Sequence, residues 1–204
     1  MKVIFIRHGE STGNAGVPTN DLSSLQLTER GTSQAHEIAY GWSETPDFIA
    51  ISPYLRTRLT AAPTISRFSK ATVETLPMEE FTYLEPARWN GTSRASRLPH
   101  IEAFWSSADP THRDGAGAES FDMLLSRVHG TFQRLNALPQ GTLVYAFSHG
   151  QFMQATRLRL IFPAWTSKEL MQHFWAYDKE NPIPNCGSFA AVRSPRQLWA
   201  IHTP

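Results

Sequence analysis

The chain has 204 residues, of which 41% are hydrophobic and 18% are charged. This length suits one compact domain with a sizeable core, and the composition excludes a largely disordered chain. Lys and Arg (19) and Asp and Glu (18) leave a formal charge of +1, without the strong basic excess typical of nucleic-acid-binding domains. We therefore expect no nucleic-acid partner.

Cysteine usage and the first residues exclude further classes of protein. Cys186 is the single cysteine, which excludes an internal disulfide framework and a multi-cysteine zinc site. The apolar run at residues 3–6 is shorter than the roughly 7–15 residues of a signal-peptide core or the about 18 residues of a membrane helix. We expect a soluble, cytoplasmic protein without a membrane partner.

The first part of the chain alternates predicted strands with predicted helices. Apolar runs without polar alternation predict fully buried strands at residues 3–6, 48–51 and 72–76. Thr28 fits the N-cap of a helix that reaches about residue 42, and a second helical pattern covers about residues 55–68, with a kink expected at Pro63. This alternation is typical of an α/β fold with a mainly parallel sheet.

Residues 77–118 interrupt this alternation. The stretch contains Pro86, Pro99, Pro110 and three glycines, and its apolar residues follow no clean period. Long irregular insertions in compact domains are commonly functional lids. We therefore expect a single domain over residues 1–204, with a lid insertion at about residues 77–118.

Regular patterns return after the insertion. Ser120 or Glu119 begins a long amphipathic helix, and an apolar run at residues 143–147 predicts a fourth buried strand. Two short runs at residues 188–192 and 197–201 predict a closing hairpin.

Residues capable of phosphate chemistry follow three of the predicted strands. The first strand leads into Arg7-His8-Gly9, the fourth into Ser148-His149-Gly150, and Arg56 comes shortly after the second. Ligands of open α/β sheets bind outside the carboxyl ends of the strands. If these strands are neighbours, Arg7, His8, Arg56 and His149 converge on one pocket.

Two arginines and two histidines in one pocket favour a phosphate group over a metal ion. Guanidinium groups would repel a metal ion, whereas they donate paired hydrogen bonds to phosphate oxygens. Nearby cations keep a histidine neutral, so that it can attack phosphorus and carry the phosphoryl group. Glycines such as Gly150 let the backbone approach the ligand closely. The pattern predicts no metal and no cofactor.

Five blocks in chain order resemble the histidine phosphatase (phosphoglycerate mutase-like) superfamily. They are residues 7–11 with Asn14, residues 27–35, residues 52–61, residues 119–128 and residues 148–150. The resemblance implies that His8 is phosphorylated, while Arg7, Arg56 and His149 hold the phosphate and Asn14 lines the pocket. It also implies a three-layer α/β/α sandwich with a mixed, mainly parallel sheet and a lid at the irregular stretch.

The same superfamily takes a carboxylic acid from the segment after the third strand. Such an acid protonates the leaving alkoxide and then helps to activate water. Glu85 is the candidate in this sequence, and Glu79 and Glu80 are close competitors. Trp89-Asn90-Gly91 follows Glu85 sooner than is common in the family, which leaves the choice among the three open.

The resulting hypothesis is a metal-independent phosphomonoesterase, a histidine acid phosphatase-like hydrolase of a small phosphorylated metabolite that works through a phosphohistidine. A cofactor-dependent phosphoglycerate mutase is the first alternative, although the sequence near Glu85 lacks the Glu-Arg-His-Tyr-Gly pattern of mutases. The second alternative is a non-catalytic domain that binds phosphorylated ligands, which the intact arginines and histidines disfavour. The physiological substrate and the oligomeric state are left open.

Overall fold

A computed structural model describes residues 1–16, 21–194 and 198–202. The described residues form six strands and seven helices. In chain order these are β1 (Lys2–Arg7), α1 (Glu29–Gly41), β2 (Phe48–Ile51), α2 (Leu55–Arg67), β3 (Thr72–Thr75), α3 (Pro86–Trp89), α4 (Arg94–Ser107), α5 (Phe121–Asn136), β4 (Leu143–Ser148), α6 (Gly150–Ile161), α7 (Ser167–Glu180), β5 (Ser188–Arg193) and β6 (Trp199–His202).

The strands form one sheet in the order β3-β2-β4-β1-β5-β6. β1 and β2 lie on either side of β4, and both pairs are parallel, as is the pair β2 and β3. β5 is antiparallel to β1 and to β6. The expected mixed, mainly parallel sheet is confirmed, and β5 and β6 form the expected closing hairpin; residues 195–197 between them lie outside the described residues.

Successive residues of the central strands face two separate cores. In β4, Val144 and Ala146 belong to one core, while Tyr145 and Phe147 belong to the other. The first core is covered by α5, α6 and α7, and the second by α1 and α2, as shown by the residues that join each cluster. Burial on both faces explains why β1, β2 and β4 lack polar alternation, and the three-layer sandwich is confirmed. The prediction that the strand at residues 72–76 is fully buried is wrong, because β3 lies at the edge of the sheet and most of its residues are exposed.

Side-chain caps fix the starts of two predicted helices. The Thr28 hydroxyl accepts a hydrogen bond from the Gly31 amide at 3.0 Å, and Ser120 accepts one from the Met123 amide at 3.2 Å. Of the two residues considered for the start of α5, Ser120 is therefore the N-cap. α2 continues through Pro63, which lies inside the helix.

Residues 77–118 are more regular than the sequence indicates, because they contain α3 and the 14-residue helix α4. Pro99 lies inside α4 and hides its helical pattern. Trp105 of α4 stacks on Phe174 of α7 with ring centroids 4.9 Å apart. The insertion is thus packed onto the body of the sandwich. No helix in the described ranges is long and apolar enough to cross a membrane.

Candidate active site

The sheet order brings the expected residues together. In the parallel registers Arg7 lies beside Ser148, and Ile51 lies beside Phe147, so that β1, β4 and β2 end at the same edge. His8, His149 and Ser52 each follow one of these ends. The ring centroids of His8 and His149 are 5.1 Å apart. His8 and His149 are thus neighbours although they are far apart in the sequence, but His149 is completely buried and is not among the residues that line the cavities described below.

His8 is buried and held in one orientation. Its Nδ1 lies 2.7 Å from the Gly9 carbonyl oxygen, and its Nε2 accepts a hydrogen bond from Arg56 Nε at 3.1 Å. Burial first, and then the charge of Arg56, lower the pKa of His8 to about 3. The Gly9 hydrogen bond opposes this shift, and the charge of Arg7 makes the smallest contribution to it. The imidazole is neutral at pH 7, with its proton on Nδ1 and its lone pair on Nε2.

His149 is completely buried beside His8. Its Nε2 lies 2.8 Å from the Ser52 hydroxyl, while its Nδ1 has no partner among the described residues. Burial, followed by the charge of Arg56, holds the pKa of His149 well below its usual value. When the Ser52 hydroxyl donates to Nε2, the neutral ring carries its proton on Nδ1 and can donate it to a bound anion.

Two arginines supply positive charge, and each is fixed by one backbone carbonyl. Arg7 Nη1 donates to the Ile183 carbonyl at 2.5 Å, and Arg56 Nη1 donates to the Leu22 carbonyl at 2.6 Å. Arg7 Nε is buried without a partner among the described residues. Both arginines therefore keep donors for a ligand with several acceptor oxygens.

These side chains line a cavity of about 900 Å³, called here the large cavity. Arg7, His8, Asn14 and Arg56 are at its wall, so four of the expected residues meet there. A neighbouring cavity of about 390 Å³, the small cavity, shares Arg7 with it and is also lined by Gly150. A Cβ added to Gly150 would lie 3.5 Å from Arg7 Nε, which is an ordinary van der Waals contact, so Gly150 lies directly beside the guanidinium group.

Asn185 is a residue of the site that the sequence analysis missed. Its Nδ2 donates to the His8 carbonyl at 3.0 Å and to Asn14 Oδ1 at 3.2 Å. The next residue, Cys186, has a φ of +59°, and its amide donates to the Arg7 carbonyl at 3.1 Å. This turn fixes the backbone that carries His8. The Asn-Cys-Gly sequence is a turn signal, but the sequence alone does not reveal what the turn contacts.

Glu85 lies outside the residues that line the large cavity. Its Oε2 accepts a hydrogen bond from the Gly117 amide at 2.7 Å, and its Oε1 caps α3 by accepting one from the Ala87 amide at 3.3 Å. A Cβ on Gly115 would come within 2.2 Å of the same carboxylate. Glu85 is thus enclosed by the loops of the insertion, where its contacts are structural.

Of the two competitors, Glu80 lines both cavities, whereas Glu79 pairs with Arg127 at 3.4 Å. Glu80 Oε1 accepts hydrogen bonds from the amides of Phe81 at 3.1 Å and Gln151 at 2.9 Å. Both hydrogen bonds that described residues donate to this carboxylate end on Oε1. Its Oε2 lies 3.8 Å from the position that a Cβ would occupy on Gly150, which is also 3.5 Å from Arg7 Nε.

The donor set suits an anion. Within the described ranges, no group of three or more His, Cys, Asp or Glu side chains is placed to hold a metal ion. A neutral buried imidazole whose Nε2 lone pair accepts a hydrogen bond from Arg56, two guanidinium groups and a second imidazole fit a phosphoryl-transfer enzyme that uses a histidine.

Comparison with known proteins identifies the family. The model of the histidine phosphatase superfamily (branch 1) matches residues 3–173, and the chain belongs to this superfamily. A metal-independent phosphoserine phosphatase of Arabidopsis thaliana is 28% identical over 165 residues, which cover 78% of this chain and 68% of that protein. Phosphoserine phosphatase 1 of Hydrogenobacter thermophilus is 25% identical over 185 residues, which cover 89% of this chain and 83% of that protein.

Solved structures share the fold. A mutant of the phosphoserine phosphatase of Entamoeba histolytica, in complex with phosphoserine, matches with a TM-score of 0.76 at 20% identity, covering 99% of this chain and 95% of that chain. The phosphoserine phosphatase of that organism in complex with 3-phosphoglyceric acid gives a TM-score of 0.75 at 20% identity, with the same coverage. The family indicated by the sequence blocks is confirmed, and the protein is a phosphatase of this superfamily.

Proposed function

We propose that the protein is a metal-independent phosphomonoesterase that hydrolyses the phosphate ester of a small metabolite through a phosphohistidine at His8. One observation carries this proposal: His8 is neutral, and its Nε2 accepts a hydrogen bond from a guanidinium group at the wall of the large cavity. A histidine nucleophile must be unprotonated at neutral pH, and the lone pair of His8 Nε2 points at Arg56, a group that can bind the phosphate.

In the first step, Nε2 of His8 attacks phosphorus while the bond to the ester oxygen breaks. The guanidinium groups of Arg7 and Arg56 and Nδ1–H of His149 donate hydrogen bonds to the phosphoryl oxygens, where negative charge accumulates. The imidazole becomes positively charged when it is phosphorylated. Its Nδ1–H stays bonded to the Gly9 carbonyl at 2.7 Å, which stabilises that charge.

The leaving oxygen needs a proton, and we assign its donor as Glu80. Two amide hydrogen bonds hold Oε1, so that a proton on Oε2 lies on the side of Arg7 and Gly150. In the second step the carboxylate accepts a proton from the water that attacks the phosphohistidine, which restores the acid. The enclosed contacts of Glu85 support Glu80 as the better candidate.

The similar proteins support a choice of substrate class. The two curated relatives are named phosphoserine phosphatases, and this supports phosphoserine as the first substrate to test. No specific observation favours either alternative, the phosphoglycerate mutase or the non-catalytic binding domain. The same proposal includes three further points. They are the acid phosphatase-like subtype, the cytoplasmic location, and the organisation as one domain with residues 77–118 as its lid.

A rapid-quench experiment tests the mechanism. With ³²P-labelled phosphoserine or aryl phosphate and a chelator, we expect an adduct that is acid-labile and base-stable, as is typical of phosphorus on an imidazole nitrogen. His8→Ala should abolish the adduct, and His149→Ala should slow its formation and breakdown without moving it. Label on His149 would reverse the two roles. Activity that is lost in chelator and restored only by a divalent ion would contradict metal independence.

A further inference from the structure

Tyr54 contacts two of the groups that are proposed to hold the phosphoryl group. It lies between β2 and Arg56, where it is the N-cap residue of α2. The guanidinium carbon of Arg56 lies 4.9 Å from the centre of the Tyr54 ring. The ring of His149 meets the same ring at an angle of 73°, with centroids 5.2 Å apart. Tyr54 lines neither of the two cavities, and no step of the proposed mechanism uses it.

Arg56 is a buried cation without an ion pair. It is only 4% exposed, and no carboxylate in the described part of the chain forms an ion pair with it, although Glu80 lines the same cavity. A buried charge without a partner is costly. A carboxylate partner would lower this cost, but it would also compete with the phosphate for the guanidinium donors. The charge of Arg56 therefore needs a different stabilising group.

The face of an aromatic ring is such a group. Its quadrupole attracts a cation without accepting the N–H groups at the edge of the guanidinium plane. Arg56 Nε donates to His8, and Nη1 donates to the Leu22 carbonyl, while Nη2 has no hydrogen-bond partner among the described residues. The Tyr54 ring therefore stabilises the charge of Arg56 and leaves donors for phosphate oxygens.

The backbone on both sides of Tyr54 is fixed by one hydroxyl group. Thr57 Oγ1 shares its proton between the Ser52 carbonyl at 2.9 Å and the Tyr54 carbonyl at 2.5 Å. The Ser52 hydroxyl in turn lies 2.8 Å from His149 Nε2. One short segment thus supplies Arg56, the ring beside it and the hydroxyl that orients His149.

We propose that Tyr54 is a positioning residue for phosphoryl transfer: the face of its ring stabilises the charge of Arg56, and its contact with His149 keeps both groups in place around the phosphoryl group. This inference rests on the proposed function, in which Arg56 and His149 hold the phosphoryl oxygens. It does not depend on which carboxyl group is the acid. Tyr54 transfers no proton and contacts no reacting atom. Its effect on the rate is therefore similar for all phosphate esters, because they share the phosphoryl group.

A series of rings at position 54 tests this electrostatic role. Tyr54→Phe keeps both ring contacts, and its kcat/KM for p-nitrophenyl phosphate should stay within about twofold of the wild type. Phenylalanines with one, two or three fluorine atoms have nearly the same shape, but the potential on their faces is less negative. Relative to Tyr54→Phe, we expect kcat/KM to fall stepwise along the fluorinated series, by about tenfold in total. Tyr54→Leu, which has no ring, should lose at least as much.

Phe68→Leu is the matched control. Arg67 lies 4.9 Å from the centre of the Phe68 ring at the other end of α2, so this variant removes the same kind of contact at the same distance but away from the site. We expect a lower melting temperature without a loss of kcat/KM.

Two further measurements separate positioning from substrate contact and from turnover. Glycerol 2-phosphate has a different leaving group, and it should show a loss similar to that of p-nitrophenyl phosphate in every variant. Calorimetric binding of inorganic phosphate requires no turnover, and its affinity should fall along the same fluorinated series.

A flat fluorinated series overturns the inference even if Tyr54→Leu is slow, because packing alone then explains the slow variant. A loss confined to one of the two esters makes Tyr54 a contact of the leaving group and also overturns it. If Tyr54→Leu does not fold, the fluorinated rings decide alone. The proposed function fails separately if the wild type forms no phosphohistidine at His8, and the binding of phosphate along the series then decides the inference.

Discussion

Nε of Arg56 donates a hydrogen bond to Nε2 of His8 over 3.1 Å, so that the guanidinium covers the lone pair that must attack phosphorus. The other end of Arg56 is held by the Leu22 carbonyl at 2.6 Å. When a phosphoryl group enters the pocket, Arg56 Nε–H must therefore change its acceptor from His8 Nε2 to a phosphoryl oxygen. The same contact that, together with burial, keeps the imidazole of the free enzyme neutral then becomes a contact to the substrate.

Replacing Arg56 by Ala should lower kcat/KM by about a hundredfold or more, since one cation at the transferred phosphoryl group contributes a few kcal/mol. Steady-state kinetics on an aryl phosphate measure the loss, and thermal unfolding checks the fold. Arg58→Ala is the matched control, because Arg58 lies two residues further along α2, is exposed and donates to the Pro53 carbonyl. Near-normal turnover of Arg56→Ala would remove this residue from the site.

Glu80→Gln and Glu85→Gln should behave differently. Glu80→Gln is expected to slow hydrolysis of alkyl phosphates by about a hundredfold, within the usual range for general acid catalysis, and to slow aryl phosphates less. Glu85→Gln should leave kcat within about twofold and lower the melting temperature, because Glu85 accepts hydrogen bonds from the insertion. Rates with a series of leaving groups measure both. The reverse pattern would return the acid role to Glu85.

Asn185→Ala should lower kcat by about tenfold while leaving the fold intact. Asn185 Nδ2 donates to the His8 carbonyl and to Asn14 Oδ1. The loss of these two hydrogen bonds, of about 1 kcal/mol each, leaves the position of His8 less well fixed. Turnover and burst amplitude on an aryl phosphate report the effect. Asn181→Ala, whose side chain bonds only to the Tyr177 carbonyl among the described residues, is the control. Equal rates for both variants would show that this turn does not position His8.

Stability should fall as the pH is lowered below neutrality. In the unfolded chain His8 binds a proton near its ordinary pKa of 6.5, whereas in the fold it stays neutral down to a pKa of about 3. Between these values the unfolded state binds more protons, so stability is lost as the pH falls. At pH 5 the loss from His8 alone is about 2 kcal/mol.

Urea unfolding at pH 7.5 and pH 5 measures this loss. His8→Asn should show a smaller decrease in unfolding free energy between the two pH values than the wild type, since it lacks the group that titrates. His173→Asn, at an exposed position of α7, should show the wild-type decrease. An identical decrease in His8→Asn would mean that the buried imidazole is not the cause.

The part of the site built on strands could be predicted from the sequence. Buried parallel strands have uninterrupted apolar runs, and the residue after each run must lie at the same edge of the sheet. These two properties of the sequence predict that Arg7, His8 and His149 lie together at one edge of the sheet. This prediction needs only local patterns and the assumption that the strands are neighbours, which the order of the sheet satisfies.

The part built on loops could not be predicted, because packing between distant segments determines it. Glu80 and Glu85 are similar in sequence context, and the contact of Glu85 with the Gly117 amide separates them. Asn185 reaches His8 only because the turn at Cys186 folds back with a positive φ. The helix α4 was missed since an internal proline masks a segment that is stabilised by contacts with α7.

The pairing of β1 with β4 also has a consequence for how the chain acquires activity. His8 and His149 meet only after a loop of more than a hundred residues has closed, because their strands are neighbours in the sheet but far apart in the chain. Contacts of such large separation form slowly and cost loop-closure entropy before they contribute stability. During refolding, the circular dichroism signal of the helices should therefore return before enzymatic turnover does. The return of turnover then reports that β1 has paired with β4.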